Sequence, residues 1–481
     1  MLYTWRGTME FLNRADERAW LEGGWGSGRA ELRILYGRRR IGKSALLDEF
    51  ARGKRHVLYQ AVEGSVADQL RDLTDALLAC EDDPILQAAP LANWEAAFAQ
   101  LARMAAAGPL LVILDEYQYV AEADPTLASR LQRWWSRVAT GLPIYLVLCG
   151  SYVRFFVQNV LTGPAYGRNT GSLQLTPLGY RDASLFFPQW SAEDRIRAYA
   201  IAGGVPHYLL QFDPGRSLAW NVERNVLRRG AVLYQEAELL VREELREPRL
   251  YYSILRAIAG GATRLSEIDG QVRGRAGGSD LSSYLATLRE LELVEYQQPV
   301  VGAHARRGIW TIADPYLRFW FRFVLPNRAQ LEHGGRPERV YRDVVAPALD
   351  HFVSKPAFEE ICRSWVLDRV DGGAWPGVDR VGAWWGPIPD PLPAQPRRPR
   401  EGEIEIVAAA GRRVALAGEA KWTREPVGFG VLNRARRVVE HLPGADASTE
   451  LVLFGRAFDA RLMAAADREG VRLVTPGALY A

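Results

Sequence analysis

A short apolar strand, a glycine-bounded loop and a helical run follow one another without a gap between residues 32 and 50. The strand is Leu32-Arg33-Ile34-Leu35-Tyr36, and the loop is Gly37-Arg38-Arg39-Arg40-Ile41-Gly42-Lys43-Ser44. Ala45-Leu46-Leu47-Asp48-Glu49-Phe50 continues as the helix. A strand that feeds directly into a helix is the first step of an alternation of strands and helices that runs through residue 215, the signature of a parallel sheet covered by helices and of the α/β class. The two glycines let the backbone curl until its N–H groups face an anion at the positive end of the helix. In this pattern Lys43 bridges the β- and γ-phosphates of a nucleotide and the Ser44 hydroxyl reaches Mg²⁺. Gly37, Arg38, Arg39, Arg40, Ile41, Gly42, Lys43, Ser44 and Ala45 are therefore the candidate nucleotide-binding residues.

Further strands are expected at His56–Ala61, Leu110–Asp115, Ile144–Cys149 and Gly171–Leu175, alternating with helical patterns through residue 215. Leu110-Leu111-Val112-Ile113-Leu114 ends in two acids. Asp115 is the candidate to hold Mg²⁺ through water and Glu116 to polarise an attacking water. An adjacent Asp-Glu pair suits ATP hydrolysis, and no guanine-reading Asn-Lys-x-Asp string is present, so ATP is favoured over GTP. Ser151, just past the fourth strand, is placed to sense the γ-phosphate. Arg168 is a candidate to stabilise transition-state charge, in its own site or a neighbour's, against the plainer reading of a surface arginine. Pro206, in Gly203-Gly204-Val205-Pro206, is a candidate to touch the adenine ring, or else part of a plain loop between helices.

The chain uses four lysines against fifty-six arginines in 481 residues, and two of the four, Lys43 and Lys421, fall in motif-like contexts. Lysine is a compact point charge where arginine is a planar fork, so its placement is informative even if the bias itself reflects base composition. An apolar share of 48%, a charged share of 24% and a net charge of +3 describe an ordinary globular protein with room for about three domains. Any basic surface must therefore be local. Cys80, Cys149 and Cys362 are odd in number and widely spaced, which fits a reducing cytoplasm without disulfides. The start is not a signal peptide and no apolar run approaches the roughly 20 residues of a membrane span, so a cytoplasmic location is expected.

The strings Phe11-Leu12-Asn13-Arg14, the Gly37–Ser44 loop, Leu114-Asp115-Glu116, Cys149-Gly150-Ser151, Tyr166-Gly167-Arg168 and Gly203-Gly204-Val205-Pro206 together resemble the archaeal-type ATPase family. That family belongs to the AAA-like signal-transduction P-loop ATPases. Tyr234-Gln235-Glu236, Asp314-Pro315-Tyr316-Leu317-Arg318-Phe319-Trp320-Phe321 and Gly418-Glu419-Ala420-Lys421-Trp422 extend the resemblance to nearly the whole chain. It implies a winged helix and a C-terminal domain of unknown function related to PD-(D/E)XK nucleases. The expected order is a P-loop ATPase core at 1–190, a helical lid at 191–246 and a winged helix at 247–325. A linker at 326–350 and a restriction-endonuclease-like α/β domain at 351–481 follow.

Residues 248–312 have the length of a winged helix. Tyr251, Ile254, Leu255 and Ile258 form one helix face, Leu265 and Ile268 begin a second, and Ser279 caps a third bearing Leu281, Tyr284, Leu285, Leu288 and Leu291. Val294–Trp310 supplies the wing. Arg273, Arg275, Arg289, Arg306 and Arg307 are candidate phosphate contacts. Ser282, Ser283 and Thr287 on the third helix do not read bases, and a protein-contact module is the competing account. Residues 351–370 are expected to be helical, and the six prolines from Pro387 to Pro399 are expected to form a loop.

Near the C-terminus, strands are expected at 403–409, 413–421 and 450–454. Side chains at i and i+2 share a strand face, so Glu419 and Lys421 point the same way. A turn at Ala410-Gly411-Arg412 brings Glu405 beside Glu419. Two carboxylates and a lysine suit metal-assisted phosphodiester hydrolysis, with Glu359 as a third acid. Nuclease relatives usually carry aspartate where this chain has Glu405, and the longer arm displaces its oxygens by about a bond length. An exposed strand face with a Glu-x-Lys ion pair is the plain alternative. The sequence thus points to ATP and Mg²⁺ as cofactors, an ATP-driven switch, DNA as a partner through the C-terminal half and a possible homo-oligomer. The runner-up is a non-cleaving, ATP-gated regulator or adaptor that binds DNA or a protein.

Overall fold

A computed structural model of the protein describes residues 11–163, 167–245, 248–272, 281–302, 308–388 and 400–481. The chain divides into two compact units, one running through Leu178 and taking in Val205–His207, the other formed by Gly179–Gly204 and Tyr208–Ala481.

In the first unit, β1 (Glu31–Tyr36), β2 (His56–Gln60), β3 (Leu110–Asp115), β4 (Ile144–Gly150) and β5 (Gly171–Gln174) form one sheet in the order β2-β3-β4-β1-β5, with every pairing parallel. Each anticipated strand is present, Leu110–Asp115 with the expected bounds and the other four with one end moved by a residue. Ala61 and Leu175 leave the ladder but still donate backbone hydrogen bonds to Asp115 and Tyr36. Strand alternation sends Ile34, Val112 and Leu146 to one face and Leu35, Leu111, Ile113 and Val147 to the other. Helices α1 (Ala15–Trp25) and α2 (Lys43–Ala51) cover the second face through Leu21, Leu46, Leu47 and Phe50. The first face is covered by α3 (Val66–Cys80), α4 (Trp94–Ala106), α5 (Tyr117–Ala123) and α6 (Leu127–Arg137). The central strands β3 and β4 are buried on both faces, which is why they read as continuous apolar runs. Leu46 is fully buried beneath the loop; Leu46→Ala would cost about 2–5 kcal/mol. Local signals start the helices: Ser65 and Asp68 form a reciprocal capping box on α3, and the Asn93 side chain caps α4.

The second unit begins with helices, among them α7 (Ala192–Ala202), capped by Ser191, and α8 (Val232–Glu244). Next come α9 (Pro248–Ala259), α10 (Leu265–Val272), α11 (Leu281–Glu290) and a two-stranded antiparallel ribbon of β6 (Val294–Gln297) and β7 (Ile309–Ile312). Tyr251, Ile254, Leu255, Ile258, Ile268, Leu281, Leu285, Leu288 and Leu291 are buried, following the anticipated periodicity. Leu265 is an exception at 45% exposure, because it opens α10 rather than facing its neighbours. Ser279, Arg273, Arg275, Arg306 and Arg307 lie outside the described residues. Beyond Gln297 the chain turns onto the C-terminal sheet: Val300 N donates to Ala383 O at 2.9 Å, and Val301 joins the apolar core there.

That sheet has the order β12-β11-β10-β9-β8, built from β8 (Arg380–Ile388), β9 (Arg400–Ala410), β10 (Arg413–Lys421), β11 (Glu450–Gly455) and β12 (Val471–Val474). β8, β9 and β10 are an antiparallel meander, and β10, β11 and β12 are parallel. Gly411 takes φ of 58° in the β9–β10 turn, a left-handed conformation that suits glycine. Strands β8 and β12 were not anticipated. Pro387 belongs to β8 and not to a loop; β8 is an edge strand, where a missing N–H breaks no central ladder. The anticipated helix over 351–370 is two helices, α12 (Ala346–Phe352) and α13 (Glu359–Asp371). Lys355 between them is extended at φ −141° and ψ 126°, the conformation a following proline imposes.

Candidate functional site

The glycine loop leaves β1 at Tyr36 and enters α2 at Lys43. Gly37 has φ of 154°, and a Cβ there would stand 2.4 Å from Leu175 O, so only glycine fits. Gly42 caps α2 at φ of 92°, with Pro206 Cγ 3.7 Å from where its Cβ would be, which places Pro206 against the loop. The buried Lys43 ammonium donates to Gly37 O at 2.9 Å and Arg38 O at 3.0 Å. Arg14 ties the loop from outside, donating from Nη2 to Ile41 O and Thr176 O. Arg39 donates to the Tyr119 hydroxyl at 3.1 Å.

The sheet order explains what meets the loop. β1 and β3 both pair with β4, so their C-terminal tips flank the tip of β4. Ser44 Oγ accordingly donates to Asp115 Oδ2 at 2.7 Å. Glu116 adopts a left-handed backbone at φ of 53°, turning its carboxylate toward β4. Its Oε2 accepts from Ser151 Oγ at 2.7 Å and Ser151 N at 3.2 Å, and from the Gln118 amide. Gln118 is buried and reaches Ser151 Oγ as well, while its Oε1 is buried without a hydrogen-bond partner. Gly150 makes room for this amide, since a Cβ would fall 2.2 Å from Gln118 Oε1. A hydroxyl, two acids and an ammonium thus converge at one end of the sheet. The Ser44–Asp115 contact is the donor set a hard cation with phosphate ligands requires.

A second cluster lies in the other unit. Lys421 on β10 places its Nζ 2.9 Å from Glu405 Oε1 on β9 and 2.7 Å from Glu419 Oε1. Ala420 N donates to Glu405 Oε2 at 3.4 Å, and Arg363 of α13 donates to Glu405 O at 2.9 Å. Glu359, on the same helix, stands 3.8 Å from Lys355 Nζ and 3.9 Å from Arg363 Nη1. Burial pushes the Glu359 carboxyl up to about 7. Burial, then the Glu405 carboxylate, raises Glu419. Burial opposes the Lys421 charge, but Glu405 and Glu419 outweigh it and hold the ammonium above the usual lysine range. The three acids anticipated as a metal set are electrostatic neighbours, yet among the described residues no three His, Cys, Asp or Glu side chains are arranged to hold a metal ion. The ammonium between Glu405 and Glu419 occupies the bridging position a divalent ion would need.

Residues 11–212 match the model of an ATPase domain predominantly from Archaea, and residues 320–436 match that of archaeal and bacterial proteins of unknown function. An uncharacterized protein of Methanocaldococcus jannaschii is 28% identical over 423 residues, covering 86% of this chain and 87% of its own. A second protein of that organism, described as an uncharacterized ATP-binding protein, is 45% identical over 49 residues, 10% of this chain and 83% of its own. The Walker-type ATPase of Pyrococcus abyssi has a TM-score of 0.49 at 21% identity, over 66% of this chain and 97% of that one. Residues 11–212 carry an ATPase domain of the archaeal type.

In this domain the structure brings together Gly37, Gly42, Lys43, Ser44, Asp115, Glu116, Ser151 and Pro206. Arg168 stands apart: it is exposed and its Nε donates to Ser136 Oγ on α6 at 2.9 Å. Tyr166 of the same string lies outside the described residues. Sequence reasoning missed Gln118 and Tyr119, whose only signal was their place two and three residues beyond the acid pair. It also passed over Arg14 as a site residue, although the string containing it was part of the family resemblance. In the C-terminal cluster it missed Arg363 and gave Lys355 no role.

Proposed function

We propose that this ATPase hydrolyses ATP and uses the nucleotide state as a switch for a C-terminal half that contacts DNA. The observation that carries the reading is the Ser44–Asp115 contact at 2.7 Å, set beside the buried Lys43 and the Glu116 carboxylate steered by Ser151 and Gln118. Ser44 and Asp115 would hold Mg²⁺, which supplies neutralising charge for the phosphates. The loop N–H groups and Lys43 bind and orient the β- and γ-phosphates. Glu116 accepts the proton of the attacking water, and Ser151 with Gln118 keeps its carboxylate aimed until the γ-phosphate competes for the Ser151 hydroxyl. Only contacts that differ between ATP and ADP can bias a conformational equilibrium, and Ser151 is placed to make one. Pro206 packs on the adenine ring, and exposed Arg168 serves the site of a neighbouring copy. Purified protein should bind ATP, and Lys43→Ala should abolish that binding; retention of the parent's affinity would overturn the site.

The α9–α11 helices with the β6–β7 ribbon support a winged-helix reading, with Arg289 as a phosphate contact. For the C-terminal sheet, Glu405, Glu419 and Lys421 support metal-dependent phosphodiester cleavage, with Glu359 as a third acid. A second reading, a non-cleaving regulator, is favoured by the Lys421 ammonium bridging the two acids that a metal would need. Supercoiled plasmid incubated with Mg²⁺ or Mn²⁺, with and without ATP, separates the two. Nicking by the parent that is lost in both Glu419→Ala and Lys421→Ala supports the nuclease; no nicking under any condition supports the regulator.

A further inference from the structure

A cavity of about 420 Å³ in the second unit is lined by Arg224, Arg228, Arg229, Asn225, Gln211 and the start of α8, with no acidic side chain in its wall. Arg224 lies on the helical stretch Val222–Leu227 and Arg228 is the extended residue that ends it, so two like charges enter the wall from one short segment with no acid between them. Neither has an ion pair among the described residues, and Arg229 lies within electrostatic reach of the Glu332 carboxylate. The thirteen-residue helix α8 begins at this wall. Ala231 gives it no side-chain cap, and its first turn carries no acid, so the positive end of the helix is uncompensated. Asn221, fully buried, braces the floor by donating to Asp213 O at 2.9 Å and Ser217 O at 3.0 Å and accepting from Asn225 at 3.1 Å.

The geometry points to a phosphate-binding site in this cavity, taking either the backbone of a nucleic acid or a soluble polyphosphate. Guanidinium forks and first-turn N–H groups are complementary to phosphate oxygens, and the volume falls in the range of small-ligand sites, roughly 300–1,000 Å³. The three arginines are exposed, so a ligand reaches them without unfolding the floor. No residue of the ATPase site takes part, and the inference does not depend on ATP hydrolysis.

The test uses the full chain carrying Lys43→Ala, which removes phosphate binding at the glycine loop, with and without the exchange Arg224→Gln, Arg228→Gln and Arg229→Gln. Pyrophosphate binding is read by calorimetry and binding of a labelled DNA duplex by anisotropy across a salt series, with thermal unfolding as a check on folding. Should Lys43→Ala unfold, the same exchange in the parent saturated with a non-hydrolysable ATP analogue replaces it. Loss of duplex affinity with a salt slope lower by about 2.7, three contacts at about 0.9 each, assigns the site to a nucleic-acid backbone. An unchanged slope with pyrophosphate affinity reduced tenfold or more assigns it to a soluble polyphosphate. Affinities for both probes within twofold of the starting protein, or no binding of either probe before the exchange, overturn the proposal.

Discussion

Replacing Glu359 by glutamine isolates the electrostatic cost built into the C-terminal cluster. The carboxyl is 7% exposed, and its pKa rises from 4.5 in the unfolded chain to about 7 in the fold. Because the folded value is the higher one, the neutral acid is the form that the fold prefers. Below pH 4.5 both states are protonated and the group contributes nothing to the pH dependence. Between 4.5 and about 7 the unfolded chain releases the proton while the folded one keeps it, so stability falls as pH rises. Above about 7 the folded group ionises too and the penalty levels off. A shift of that size corresponds to about 3 kcal/mol, an upper bound because the Glu405 charge contributes to it beside burial. Glutamine keeps the shape and cannot ionise. Urea unfolding of parent and Glu359→Gln across the pH series, followed through tryptophan emission, gives the difference directly. The variant should match the parent at low pH and exceed it by up to about 3 kcal/mol at neutral pH. A difference that stays flat with pH, or a variant less stable than the parent at neutral pH, would refute the reasoning.

Other consequences are equally open to measurement. Gln118→Ala removes the amide that steers Glu116, so steady-state kinetics should show kcat lowered by about tenfold or more with KM for ATP little changed. Asp350 accepts from Trp422 Nε1 at 3.1 Å and pairs with Arg197 at 3.1 Å and Arg456 at 3.2 Å. Asp350→Ala strands those donors between α7, α12 and the C-terminal sheet and should destabilise the second unit by roughly 2 kcal/mol, seen as a lowered thermal midpoint. Burial raises the thiols of Cys149 and Cys362 well above the usual range, whereas Cys80 is only half-buried. An aromatic disulfide reagent should therefore modify Cys80 at most in the native protein and all three after denaturation.

The parallel sheet was legible because its central strands β3 and β4 are buried on both faces and end in acids or glycine. The loop residues and the acid pair were legible because their chemistry depends on adjacency in sequence. Gln118 was not, because its role arises from the left-handed turn at Glu116, which no local pattern announces. Strand β8 was hidden by Pro387, a residue tolerated there only because the strand lies at a sheet edge. Strand β12 was hidden by its four-residue length. The Glu405–Glu419 juxtaposition followed from a hairpin with a glycine turn, but the bridging position of Lys421 did not, since it depends on the rotamer that satisfies both acids. The Asp350 pairs span sequence separations of 153 and 106 residues, beyond any window in which a pattern could be read.

The central claim is that Glu116 drives water attack on a nucleotide held by Lys43 and Ser44. Phosphate release at saturating ATP, compared between the parent and Glu116→Gln after equal ATP binding has been established, tests it most directly. Loss of a general base should slow turnover by about 10²–10⁴ while binding persists. Turnover by Glu116→Gln at the parent's rate would contradict the account.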